Sequence, residues 1–143
     1  MPKVSKQYLE VHPFSIIEKG FHKERDQVSE SLFSLGNEYS GIRGFFEEGY
    51  SGKKLIGSYF NGIYECALED TPNAYKGIIK RTHFMINSVN WLMVSISVKD
   101  EKLDLNHAEI KDFYRELDMK TGLYTRYFTW KTKCVELTLK FQR

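Results

Sequence analysis

The sequence predicts an all-β, antiparallel fold, a β-sandwich. Three observations carry that expectation. Apolar residues recur at every second position in short runs at Trp91–Val98, Leu123–Trp130 and Val135–Phe141, and period two marks a strand with one buried face. Glycine-bearing turns punctuate the chain between such runs. No strand alternates with a long amphipathic helix, as a parallel α/β sheet requires.

The elements follow in chain order. Ser29–Gly52 holds five glycines, Gly36, Gly41, Gly44, Gly49 and Gly52, set among aromatics, Arg43 and the pair Glu47–Glu48. It reads as a tightly folded corner in which Leu32, Phe33 and Leu35 form a short hydrophobic turn. Leu55–Glu65 and Gly77–Ile86 are β-rich and lack a helical stripe. In Trp91–Val98, Leu92, Val94, Ile96 and Val98 share one face. Glu109–Leu117 is ambiguous by pattern, because Ile110, Phe113, Tyr114 and Leu117 sit at helical spacing and also suit a strand. Asp112–Met119 is expected to be mainly extended. Gly122 supplies the φ > 0 residue of a tight turn. After it, Tyr124, Arg126, Phe128 and Trp130 point one way, and then Val135, Leu137, Leu139 and Phe141 repeat the pattern.

Composition bounds the function classes. The chain has 143 residues, the length of one domain. Hydrophobic residues at 41% and aromatics at 15% are enough for a real core, and a net charge of +2 excludes a nucleic-acid binder that works by a strong positive field. Neither a signal-peptide run nor a membrane-spanning apolar stretch is present in the sequence. Cys66 and Cys134 stand far apart and read as two reduced thiols of a cytoplasmic protein, a disulfide being the alternative.

Motifs of self-contained chemistry are missing. Gly52-Lys53-Lys54 does not complete a phosphate-binding G-x-x-x-x-G-K-[ST] loop, although the amides of Gly49–Gly52 offer an anion nest. Glu47 and Glu48 are adjacent, so in an extended chain they diverge. They read as a solvated acidic loop near Arg43 and Lys53 rather than as a carboxylate pair across a sugar. His12, His22, His83 and His107 lack ligand spacing, and no metal or cofactor is expected. Neither "SGIRG" nor "GYSG" is a nucleophile elbow. Lys76, Lys80 and Arg81 beside Tyr75 and Phe84 form a loose basic-aromatic patch, equally a solvated sheet face.

Four ordered stretches are more specific: "ESLFSLGNEYSGIRGFFEEGYSG", "GSYFNGIYE", "INSVNWLMVSI" and "YRELDMKTGLYTRYFTW". Together they resemble the N-terminal domain of glycoside hydrolase family 65, the α-glucoside phosphorylases, from about Tyr8 to the last residue. The resemblance implies a β-supersandwich of which residues 1–143 form part as a single domain. It implies that the acid glutamate and the phosphate site lie in a later (α/α)₆ barrel, the partner of this domain. There inorganic phosphate, a co-substrate, attacks the anomeric carbon of an α-glucoside with inversion. This chain is then a non-catalytic fragment, roughly half of the family's N-terminal domain. Many members carry Asn-Gly where this chain has Asn37-Glu38, which leaves the acceptor sugar open.

The residues singled out as barrel-facing or sugar-proximal are Asn37, Arg43, Glu48, Tyr59 and Asn61. Arg43 is expected to bond loop carbonyls, with Glu47 or Glu48 as its partner. The competing function is a stand-alone sandwich that binds carbohydrate or a protein. Exposed rings at Tyr59, Tyr64, Tyr124 or Trp130 would favour it. Self-association through the last strand, Val135–Phe141, is also expected, and neither nucleic acid nor membrane is an expected partner.

Overall fold

In chain order the elements are β1 (Leu9–Val11), β2 (Ser15–Lys19), α1 (Asp26–Leu32), β3 (Leu35–Gly36), β4 (Ser40–Ile42), β5 (Ser58–Leu68), β6 (Arg81–Asn87), β7 (Ser97–Val98), β8 (Glu101–Lys102), β9 (Glu109–Asp118), β10 (Leu123–Lys131) and β11 (Glu136–Gln142). This computed structural model describes residues 7–68 and 81–143. The chain builds the antiparallel all-β sandwich that its patterning predicts. A five-stranded sheet runs in the order β1-β2-β9-β10-β11, a four-stranded sheet in the order β3-β4-β5-β6, and β7-β8 form a small ribbon.

The core lies on one face of the five-stranded sheet. Phe113 on β9 and Phe128 and Trp130 on β10 meet Phe46, Tyr50, Leu103 and Leu105 from the loops that cover them. The Phe113, Phe128 and Phe141 rings stack across three neighbouring strands at centroid distances of 6.2 and 6.1 Å. Such rings add to burial through their offset geometry. A second cluster joins Phe33, Leu117 and Tyr124. Tyr124, Arg126, Phe128 and Trp130 all point inward along β10, as their alternation requires.

β9 is extended, and its apparent helical spacing has a local cause. Tyr127 opposes Tyr114, but Thr129 opposes Lys111, so β9 carries one extra residue there. Asp112 occupies the left-handed region at φ 51° and forms that bulge. The extra residue shifts the inward phase, so Ile110 and Phe113, three apart, both reach the core. A bulged strand thereby imitates a helical stripe.

Two expectations do not hold. In Trp91–Val98 only Ser97 and Val98 form a strand, paired with Lys102 and Glu101. Ile96 and Val98 still pack on the core, while Trp91 and Met93 are exposed. The backbone meets irregular loops instead of a ladder, with Val94 N–H donating to Glu47 O. The expected inward face also fails at Val94, which is exposed, so the alternation holds only at Ile96 and Val98. Before Phe33 there is a helix, not only a turn. Its buried residues are Asp26, Ser29 and Glu30, while Val28 and Leu32 are exposed. This polarity is inverted relative to an ordinary amphipathic helix, so apolar periodicity cannot reveal it.

Candidate functional site

The Gly36–Gly41 hairpin is the centre of the candidate site. Asn37 closes its turn: Oδ1 accepts from the amides of Tyr39 and Ser40, both at 2.9 Å. An asparagine side chain that mimics a backbone turn in this way is a common loop device. The turn is tied to β5 by Asn61, whose backbone N–H donates to Tyr39 O and whose Nδ2 donates to Glu38 O at 3.0 Å. Concavities flank the hairpin. One, of 360 Å³, is lined by Glu38, Tyr59, Asn61 and Met85 together with Asn37. The other, of 270 Å³, adds Leu35, Ile42, Trp91 and Gly122. Asn37, Tyr59 and Asn61 therefore converge on one depression.

Arg43 and Glu48 do not join them. Arg43 Nη2 donates to Ser31 Oγ at 2.6 Å, so its expected pairing with Glu47 or Glu48 is not made. Glu48 is fully buried, and Glu47 nearly so. Their solvated-loop reading is overturned by Arg126, whose Nη2 lies 2.5 Å from Glu48 Oε2 and 3.2 Å from Glu47 Oε2. Adjacent residues converge because the chain turns at Glu47–Glu48 and Gly49 takes φ 115°, which ends any extended geometry. Burial pushes the Glu48 carboxyl above its ordinary value, and the Arg126 charge opposes that shift.

The Gly49–Gly52 nest is occupied from within. Ser51 N–H donates to Asp104 Oδ1 at 3.0 Å, and Asn106 N–H donates to the same oxygen at 3.0 Å. Burial works the other way, but the bonds from Ser51 and Asn106 hold the Asp104 carboxyl below its usual range. Of the rings named as a sugar platform, Tyr124 and Trp130 are core residues, whereas Tyr64 is half-exposed. The basic-aromatic patch falls largely outside the described residues. Among the described residues no three His, Cys, Asp or Glu side chains are placed to hold a metal. No described helix is long and apolar enough to cross a membrane. Cys66 and Cys134 are free and exposed.

A family model for the N-terminal domain of glycosyl hydrolase family 65 matches residues 16–143. The chain belongs to this family. Maltose phosphorylase of Bacillus subtilis is 34% identical over 126 residues, covering 86% of this chain and 16% of its own. α,α-Trehalose phosphorylase of Thermoanaerobacter brockii is 34% identical over 139 residues, covering 91% of this chain and 18% of its own. A solved structure, a putative kojibiose phosphorylase from the human microbiome, superposes with a TM-score of 0.86 at 57% identity, over 97% of this chain and 18% of that one. The chain thus spans less than a fifth of the relatives it matches, all of it within their N-terminal part.

Two buried ion clusters lie inside this family 65 domain, and sequence reasoning missed both. Arg126 serves one. Arg115 serves the other, with Nε 2.8 Å from Glu18 Oε2 and Nη2 3.3 Å from Asp26 Oδ1. Ser29 Oγ donates to Glu18 Oε2 at 2.8 Å. Glu30 Oε2 instead accepts from Leu55 N–H at 2.5 Å. The available signal was an arginine at an inward position of a strand: Arg126 between Tyr124 and Phe128, and Arg115 between Phe113 and Leu117. A guanidinium held there demands buried carboxylates.

Proposed function

We propose that this chain is the non-catalytic N-terminal part of an inverting α-glucoside phosphorylase. The carrying observation is the family 65 match, which is confined to the N-terminal part of the relatives. In this reading the parent enzyme protonates the departing sugar oxygen with a glutamate of its barrel and holds inorganic phosphate for attack at the anomeric carbon. Inversion needs both an acid for the leaving group and a held nucleophile. Four of the domain's buried carboxylates face arginines, Glu18 and Asp26 at Arg115 and Glu47 and Glu48 at Arg126, and Glu30 accepts from the Leu55 amide. A cytoplasmic setting accords with the free thiols.

The purified chain is expected to release no β-glucose 1-phosphate from maltose, trehalose or kojibiose in phosphate buffer. The parent protein that carries the barrel is expected to do so with at least one of them. Phosphate-dependent release by the chain alone, or none by the parent with any α-glucoside, would defeat the reading.

The chain is also expected to self-associate through a sheet edge that has no pairing strand among the described residues. The exposed strand β6 is better suited than β11. Phe84, Met85 and Ile86 are exposed on β6 without a lysine or acidic side chain among them. On β11, Leu137, Leu139 and Phe141 pack on the core, and Glu136 and Lys140 alternate outward. Charges on an edge discourage pairing. Sedimentation should show a concentration-dependent dimer that Met85→Lys abolishes, and a monomer at all concentrations would refute the association.

A further inference from the structure

We propose that the concavity between the Asn37–Tyr39 turn and β5 is a non-catalytic subsite for a terminal α-glucopyranosyl ring. The choice of the α anomer rests on the phosphorylase reading, whereas the subsite itself rests on geometry. Asn37 Oδ1 is consumed by the amides of Tyr39 and Ser40, and its Nδ2 has no partner among the described residues. Asn61 Nδ2 is consumed by Glu38 O, and its Oδ1 has no partner among the described residues. Each sugar hydroxyl is donor and acceptor at once, so a donor amide beside an acceptor amide matches a vicinal diol. Glu38 and Tyr59 line the same depression. Met85 and the Tyr59 ring supply an apolar wall for the C–H face of the ring.

The groups are held before any ligand arrives. Gly41 pairs with Tyr59 and Ser40 with Phe60 across the β4–β5 ladder. A Cβ at Gly57 would lie 2.7 Å from both Arg43 Cδ and Tyr59 Oη, so the glycine lets the Tyr59 ring lie against the backbone with its hydroxyl on the Arg43 side. Preorganised groups lose little freedom on binding. The volume of 360 Å³ falls within the lower part of the range for small-ligand sites. The apolar β6 surface offers a protein partner area but few free polar groups. This depression offers unspent donors and acceptors in a small space, which is the requirement of a sugar.

The test is an amide-resolved NMR titration of the 143-residue chain with methyl α-D-glucopyranoside, maltose and kojibiose. Saturable shifts are expected at the Asn37 and Asn61 side-chain amides, with millimolar dissociation constants. Tyr59→Ala should weaken binding roughly ten-fold, equal to about 1.4 kcal/mol. Tyr59→Phe, which keeps the ring and the fold, should weaken it by a smaller factor. Absence of saturable shifts with all three sugars, or equal binding by both Tyr59 variants and the parent chain, would overturn the subsite. Equal binding of β-linked cellobiose would overturn the α assignment. Phosphorolysis by the parent enzyme is read separately: its absence with sugar binding intact falls on the proposed function alone, and lost binding with phosphorolysis intact falls on the subsite alone.

Discussion

Replacing Arg126 by methionine is expected to destabilise the chain by about 3–5 kcal/mol, the cost of leaving a buried charge without its partner. Methionine keeps most of the unbranched stem and its packing, so the loss isolates the guanidinium. Arg126 is fully buried, and its Nη2 faces both Glu47 and Glu48. Its Nη1 donates to Tyr124 Oη at 3.2 Å. Its charge also lies 4.8 Å from the Phe46 ring centroid and 4.7 Å from that of Phe141. Without it, Glu48 has no compensating cation at hydrogen-bond distance, and Glu47 keeps only Arg143 at 3.7 Å. Urea denaturation checks the magnitude. Adding Glu48→Gln to Arg126→Met should recover part of the loss, because a neutral amide removes the stranded charge. A single substitution costing less than about 1 kcal/mol, the range of an exposed pair, would show that these carboxylates are hydrated.

Asp26 is expected to make the chain less stable as pH rises from about 4 to 6. Burial pushes its carboxyl up to about 6 from 3.8, against the pull of Arg115. The folded state therefore binds the proton more tightly than the unfolded chain. The sign is fixed by linkage: stability falls with pH wherever the folded state holds more protons. The cost is absent below the unfolded value of 3.8 and fully present above the folded value of about 6. Its size is about 3 kcal/mol, from the shift at roughly 1.4 kcal/mol per unit. Glu18 and Glu30, also fully buried, and Arg115 set the local field. Asp26→Asn is expected to remove this slope and to be at least as stable as the parent chain at pH 7.5. Parallel stability profiles for parent and variant between pH 4 and 7 would refute it. A variant losing several kcal/mol at every pH would show instead that the Asp26–Arg115 ion pair outweighs the desolvation.

The amino-acid sequence by itself determined the strand faces and the family. Alternation at Tyr124–Trp130 and Leu137–Phe141 needs only a period of two and one buried face, and both are local facts. Gly122, at φ 68°, is likewise a local demand of a tight turn. The four ordered stretches placed the chain in family 65 because each is specific in order as well as in composition. Asn37, Tyr59 and Asn61 were legible as site candidates through that resemblance, but their convergence depends on which strands pair. Tertiary structure alone decided the rest. It placed the bulge at Asp112 that makes β9 look helical. It left Trp91–Ile96 without a ladder, and it turned the polar face of α1 inward. The two ion clusters join residues 97 positions apart, Glu18 to Arg115, and 78 apart, Glu48 to Arg126. No window along the chain contains such pairs. An acidic residue in a sequence reads as exposed because burying it alone is costly, and only the fold brings the arginine that offsets that cost.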